Sequence, residues 1–61
     1  MKYLIEDFNT HCNYEFFNYA AAEKKYKELS AASSEPRVVM TSLAPDYLHG
    51  TIIKNIVKST I

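Results

Sequence analysis

The 61-residue sequence is poor in several residue types that commonly stabilise small domains or bind ligands. It contains one cysteine, one glycine and no tryptophan, and seven basic residues offset seven acidic ones. The lone Cys12 excludes a disulfide within the chain and is typical of a reducing compartment. The single glycine, Gly50, argues against glycine-rich phosphate-binding loops. Zero net charge provides no overall attraction to nucleic acid or to anionic lipid.

Long apolar runs are missing as well. No segment approaches the ~20 consecutive apolar residues that a membrane-spanning helix requires. Glu6 and Asp7 follow only three apolar residues, which is too short a run for a signal peptide. We therefore expect a single cytoplasmic domain over residues 1–61. A domain of this size buries about 60% of its unfolded surface, so we expect marginal stability unless an oligomer or a partner contributes.

Two aromatic segments begin the chain and predict a hairpin. Residues 2–8 and 14–17 are rich in aromatic and branched side chains, and the segment 9–13 between them contains two asparagines, which favour turns. The alternation is imperfect because Glu6 shares a strand face with apolar neighbours. The register of the hairpin therefore stays open.

Residues 19–32 form the clearest predicted helix. Asn18 is a suitable N-cap, and strong helix formers follow it without glycine or proline. Pro36 ends the helical region, because the residue before a proline is pushed out of the α conformation. A stripe of residues at three- and four-residue spacing predicts the face that packs on a sheet, and it contains Tyr19, Ala22, Tyr26 and Leu29.

The second half of the chain is less regular. Residues 37–43 are rich in branched side chains and predict a third strand. Residues 44–50 are bounded by proline and glycine and predict a loop or a single helical turn. If residues 51–61 formed a strand, lysines and isoleucines would share one of its faces. If they formed a helix, their branched residues would occupy one half of the surface and their lysines the other. We therefore predict a C-terminal helix.

A helix over residues 51–61 would be too short and too rich in β-branched residues to be stable alone. Three docking surfaces stay open for it, namely its own sheet, a second copy of the chain or a target protein. The predicted fold is thus α+β. A small antiparallel three-stranded sheet carries one long helix, in the order β-β-α-β, and a short C-terminal helix follows.

Few side chains suggest catalysis or metal binding. His11, Cys12 and His49 are residue types that suit zinc or a nucleophile pair, but adjacent residues seldom ligate one ion and no paired ligand spacing occurs. Glu6 and Asp7 point to opposite faces of a strand and cannot share a site. We expect no enzymatic activity, no metal and no cofactor.

The aromatic residues indicate binding instead. Five tyrosines and three phenylalanines are more than a core of this size can enclose, and tyrosine is enriched at protein interfaces. We predict a protein partner or a homodimer through residues 51–61, with partner-binding residues Tyr3, Tyr14, Tyr47, Ile53 and Val57. The alternative is a small nucleic-acid-binding protein that contacts phosphates through Lys24, Lys25, Lys27, Lys54 and Lys58.

The predicted layout resembles that of short phage and prophage accessory proteins. The shared pattern is a strand, KYLIEDF, a second strand, NYEFFN, that runs directly into the helix NYAAAEKKYKEL, and a return strand, RVVMTSL. It covers residues 2–43 and excludes the isoleucine-rich tail. The resemblance implies a non-catalytic inhibitor of a host or defence protein that acts by occluding the surface of its target.

Overall fold

Four strands in one antiparallel sheet, with one helix on one face, form the fold. The computed structural model describes residues 1–61. The elements are β1 (Lys2–Asp7), β2 (Cys12–Phe16), α1 (Tyr19–Ala31), β3 (Val38–Asp46) and β4 (Thr51–Ser59). The strand order across the sheet is β2-β1-β3-β4, so β2 and β4 are the two edges.

The β1–β2 hairpin closes through a turn that its own side chains stabilise. The buried Asp7 carboxylate accepts hydrogen bonds from the Asn9 backbone N–H (3.0 Å) and the Thr10 hydroxyl (2.9 Å). His11 completes the turn with φ 59°, a left-handed conformation. The structure defines the register of the hairpin, in which Ile5 lies opposite Tyr14 and Glu6 opposite Asn13.

The helix begins where its sequence predicts. Asn18 is the N-cap, and its side-chain oxygen accepts hydrogen bonds from the N–H groups of Ala20 and Ala21, which otherwise lack partners in the first turn. The helix packs against β1, β2 and β3, and it reaches β4 only through the side chain of Lys58. The fully buried apolar core is small and consists of Ile5, Ala22, Val38 and Met40, with Tyr3, Tyr14, Phe16, Tyr26 and Leu29 packed around it.

The prediction of a three-stranded sheet followed by a C-terminal helix is wrong. Residues Thr51–Ser59 form a fourth strand, β4, that pairs antiparallel with β3. The prediction of a loop over residues 44–50 also fails, because β3 continues through Asp46 and only residues 47–50 form the turn. Gly50 closes this turn with φ 63°, where a residue without a Cβ is favoured.

Two features of β4 hide its strand pattern in the sequence, because Lys54 lies on the same face as Ile52 and Ile56, and a bulge follows them. The register shifts between Met40 and Thr41, so that Thr41 lies opposite Ile56 while Met40 lies opposite Lys58. Val57 is the extra residue, and it breaks the two-residue alternation that identifies a strand. The β-branched residues that weighed against a helix suit the extended backbone.

The segment between α1 and β3 is fixed from both sides by two polar side chains. Asn9 donates to the Glu35 carbonyl (3.1 Å) and accepts from the Arg37 N–H (2.7 Å). Thr60 donates its hydroxyl to the Pro36 carbonyl (2.8 Å) and accepts from the Val38 N–H (2.9 Å). The end of the chain is therefore attached to the sheet next to the core.

Thr60→Val is expected to destabilise the fold by about 1–2 kcal/mol, because a methyl group of similar size leaves the Val38 N–H without its partner. The matched control is Thr60→Ser, which keeps the hydroxyl and is expected to lose less than half as much. Urea unfolding of the three proteins measures the difference. Equal stability of Thr60→Val and the natural protein would show that these hydrogen bonds do not hold the chain end.

Candidate protein-interaction surface

The β3–β4 hairpin extends past the rest of the sheet. The last pair between β1 and β3 joins Lys2 to Leu43, so residues 44–53, which we call the arm, have no neighbour in β1. The molecule is elongated, with extents of 42 × 19 × 16 Å. The arm is a two-stranded ribbon that is not covered by the helix.

The turn at the tip of the arm is organised by Asp46. One carboxylate oxygen accepts from the N–H groups of Leu48 (3.1 Å) and His49 (3.4 Å), and the other lies 2.6 Å from Nδ1 of His49. These contacts hold Tyr47 and Leu48, whose side chains are 90% and 87% exposed, on a preformed turn. Two large apolar side chains thus project into solvent from a structured turn.

Exposed large apolar residues concentrate in the last third of the chain. Eleven such residues occur in the structure, and seven of them lie between residues 47 and 61, namely Tyr47, Leu48, Ile52, Ile53, Ile56, Val57 and Ile61. The other four are Met1, Phe8, Phe17 and Tyr19, of which Phe17 and Tyr19 flank Asn18 between β2 and α1. Scattered exposed apolar residues are ordinary on a protein surface, whereas a cluster of this kind indicates an interaction site.

The predicted tyrosines are divided between core and surface. Tyr3 and Tyr14 are half-buried, pack on the core and lie on the helix side of the sheet. Tyr3 makes an edge-on contact with the Tyr19 ring, and the Lys25 ammonium lies 4.5 Å from the centre of the Tyr14 ring. Only Tyr47 of the three projects freely into solvent.

Ile53 and Val57 are both exposed on β4. Ile53 lies opposite Ala44 on the arm, on the helix side of the sheet but beyond the helix. Leu48, Ile52 and Ile56 were not predicted to bind a partner, because the sequence predicts a loop over residues 44–50 and a helix over residues 51–61 where the structure has a hairpin. The signal that could have found them is Pro45 to Gly50 as a hairpin turn between two runs of β-branched residues.

The five predicted nucleic-acid-binding lysines do not form one free basic patch. Lys25 lies 3.9 Å from Glu28, and Lys27 and Lys58 lie 3.4 and 2.9 Å from Glu23. Lys24 and Lys54 form no ion pair in the structure, and they are on different elements, α1 and β4.

Glu23 and Lys58 form the contact between α1 and β4. The Lys58 ammonium also lies 5.9 Å from the centre of the Tyr26 ring. Hydrogen bonds to the Glu23 carboxylate, first from Lys58 and then from Tyr19 and Lys27, lower the pKa of Glu23 from 4.5 to about 2. The hydrogen bond to Glu23 raises the pKa of Lys58 above its usual value. The bulge at Val57 is what turns Lys58 toward the helix.

The histidine and cysteine residues lie at opposite ends of the molecule. Asp7 pairs with both Cys12 and Val38 at one end of the sheet, and β3 then runs eight residues to Asp46 beside His49. At ~3.3 Å per strand residue, this is about 26 Å. His11 and Cys12 therefore cannot share a site with His49 in one chain. No group of three or more His, Cys, Asp or Glu residues that could hold a metal ion occurs, and no pocket is present.

Comparison with known proteins gives no relative from which a function could be transferred. No family model, no curated protein and no solved structure matches this chain. The structure contains no helix long and apolar enough to cross a membrane.

Glu23→Gln is expected to make the free energy of unfolding depend less steeply on pH below pH 4.5. Because the folded state lowers the pKa of Glu23, this residue stabilises the fold above pH 4.5, and the contribution is lost as the pH falls toward 2. Urea unfolding followed by circular dichroism from about pH 2 to about pH 6 measures the slope. Lys58→Gln is expected to show an intermediate slope, since Tyr19 and Lys27 remain. An unchanged slope in Glu23→Gln would contradict the assignment.

Proposed function

We propose that this protein is a non-catalytic protein-binding module whose contact surface is the arm together with the exposed edge of β4. The observation that carries the proposal is the concentration of seven of the eleven exposed large apolar residues between residues 47 and 61. In a chain with only four fully buried apolar core residues, so much uncovered apolar surface is costly in water. Covering it with a partner offsets that cost.

The tip of the arm is suited to act as the anchor of such an interface. Tyr47 and Leu48 project from a turn that Asp46 already holds in place. Binding then requires little ordering of the backbone, which reduces the entropic cost of association. Tyrosine adds a large, rigid contact area with a hydrogen-bonding end.

The edge of β4 supplies a second mode of contact. β4 is nine residues long and pairs on one side only, with β3, so every second residue directs its backbone N–H and C=O groups outward. An extended segment or a sheet edge of the partner can add to this strand through main-chain hydrogen bonds. Ile52 and Ile53 then contact the partner from both faces of the sheet.

Surface occlusion is the mode of action that follows from this geometry. An elongated ribbon covers a partner surface without providing a reactive group. The layout of residues 2–43 resembles that of phage accessory proteins, so the proposed module would act as a phage-type inhibitor of a host or defence protein. Binding of nucleic acid is the weaker alternative, because three of the five lysines face carboxylates within the chain.

Replacing both tip residues, Tyr47→Ser with Leu48→Ser, is expected to abolish partner capture without unfolding the protein, because both side chains are almost fully exposed. Affinity purification from the source cells, followed by a titration with the purified captured protein, measures the loss. We expect at least a hundredfold weaker binding, on the scale of an interface hot spot.

The matched control is Phe17→Ser, which removes an equally large side chain that is 79% exposed but lies away from the arm. It is expected to retain the partner. Equal capture by the tip variant and the natural protein would refute the arm as the contact surface. Retention on nucleic acid that declines steeply as salt is raised would support the alternative instead.

A further inference from the structure

The face of the sheet opposite α1, which we call the open face, carries an apolar patch that no element of the chain covers. Side chains alternate along a strand, so Ile5 and Met40 point to the helix while Leu4 and Thr41 point away from it. Cross-strand pairing places Glu15, Leu4, Thr41 and Ile56 in one row across the sheet. Val39 and Leu43 lie on either side of Thr41 along β3.

An antiparallel sheet that faces water on one side normally has polar residues there. On the open face, Leu4 and Ile56 in the central row and both neighbours of Thr41 along β3 are apolar, and Thr41 is itself buried. Glu15, at the β2 edge, is the one charged residue of the row. Thr41 is buried although its side chain points away from the helix. The centre of this face thus has the character of an interior surface.

Charged residues surround this patch in an ordered way. Glu6 lies beside Val39 at one end, and Lys2 and Lys54 lie on either side of Leu43 at the other. Lys2 is 3.5 Å from Glu15, and Glu6 forms no ion pair within its chain. One end of the first strand on this face is therefore acidic and the other end is basic.

We propose that the open face binds a second copy of the same chain, with the two sheets packed face to face. A two-fold axis that runs across the strands, along the row of Leu4, Thr41 and Ile56, places each strand over its own copy and reverses its direction. Val39 then faces Leu43 of the second copy. Glu6 faces Lys2 of the second copy, and symmetry forms this pair of opposite charges twice.

The arrangement of charges favours a second copy of the chain as the binding partner, because Glu6 of one copy lies opposite Lys2 of the other. A two-fold interface uses the same surface on both chains, so residues on the axis meet their own copies, and opposite charges must lie at equal distances on either side. Leu4 and Ile56 lie on the axis, and Glu6 and Lys2 lie on its two sides. Glu15, at the β2 end of the axis, faces Glu15 of the second copy, and Lys2 of the same chain, 3.5 Å away, offsets each carboxylate. The zero net charge of the chain adds no overall repulsion between copies.

The dimensions of the face fit a weak, concentration-dependent dimer. The six paired residues of β1 span about 20 Å at ~3.3 Å per residue, and the sheet is 19 Å wide, so the shared footprint is roughly 400 Å² per partner, which is in the range of weak interfaces. Sheets packed in this way lie about 10 Å apart, with their inner side chains interdigitated. The second copy also supplies the oligomeric stabilisation that small domains often need.

The dimer leaves the proposed binding surface free and duplicates it. Reversing the strand direction sends the two arms to opposite ends of the assembly, so the tip residues Tyr47 and Leu48 stay exposed in both copies. Two arms on one dimer would bind a partner with two sites more tightly than one arm does. The dimer proposal does not depend on the proposed function, and tip variants test only the latter.

Molecular mass measured by light scattering and sedimentation over ~1 µM to ~1 mM tests the dimer. We expect a concentration-dependent dimer for the natural protein. Ile56→Asp, at a position 71% exposed in the single chain, is expected to keep the fold and weaken dimerisation at least tenfold. Ile53→Asp, on the other face of the same strand, is the matched control and is expected to remain dimeric.

Charge reversal tests the two-fold arrangement itself. Glu6→Lys places like charges opposite each other at two symmetric positions and is expected to weaken the dimer about tenfold. Reversing the whole set, with Lys2→Glu, Glu6→Lys and Glu15→Lys, restores opposite charges within and between chains and is expected to recover dimerisation.

A folded protein that stays monomeric at every concentration would overturn the proposal. A dimer broken by Ile53→Asp but not by Ile56→Asp would overturn it as well, because the interface would then be on the helix side of the arm. Failure of the triple reversal to recover a dimer that Glu6→Lys had weakened would exclude this two-fold axis.

Discussion

Antiparallel pairing along β3 is the constraint on which the other parts of the structure depend. β3 pairs with β1 over its first six residues and with β4 over most of its length. The first pairing builds the core under α1, and the second carries β4 away from it. Because the helix covers β1, β2 and β3 and reaches β4 only through Lys58, most of β4 is an uncovered edge strand. The arm, the exposed isoleucines and the uncovered sheet face all follow from this single strand.

The parts of the fold controlled by local chemistry could be predicted from the sequence. Asn18 and the helix formers after it locate α1, and the stripe containing Ala22 and Tyr26 identifies its packed face. The conformation of residues 51–61 could not be predicted in this way. Hydrogen bonding to β3 makes these residues a strand. Lys54 shares a face with Ile52 and Ile56, and the bulge at Val57 then interrupts the two-residue periodicity. With that alternation broken, a helical pattern described the isoleucines and lysines better than a strand pattern did.

The same limit applies to the candidate binding surface. Aromatic composition singled out three tyrosines, but only the pairing of β1 with β2 and β3 shows that Tyr3 and Tyr14 point toward the helix. Tyr47 lies outside this layer and is exposed. Leu48 was missed because proline and glycine suggested a loop over residues 44–50, and Ile52 because residues 51–61 matched a helical pattern. In the structure Pro45 lies beyond the last residue of β1 that pairs with β3, so its missing N–H is tolerated where β3 has only one neighbour.

The pairing of β4 with β3 in solution is tested most directly by nuclear Overhauser contacts and backbone chemical shifts over residues 51–59. We predict extended-strand shifts throughout this segment, with cross-strand contacts between Ser42 and Asn55 and between Ala44 and Ile53, which are opposite each other in the sheet. Helical shifts with sequential amide contacts over the same residues, and no contact with β3, would contradict the arm and both surfaces that depend on it.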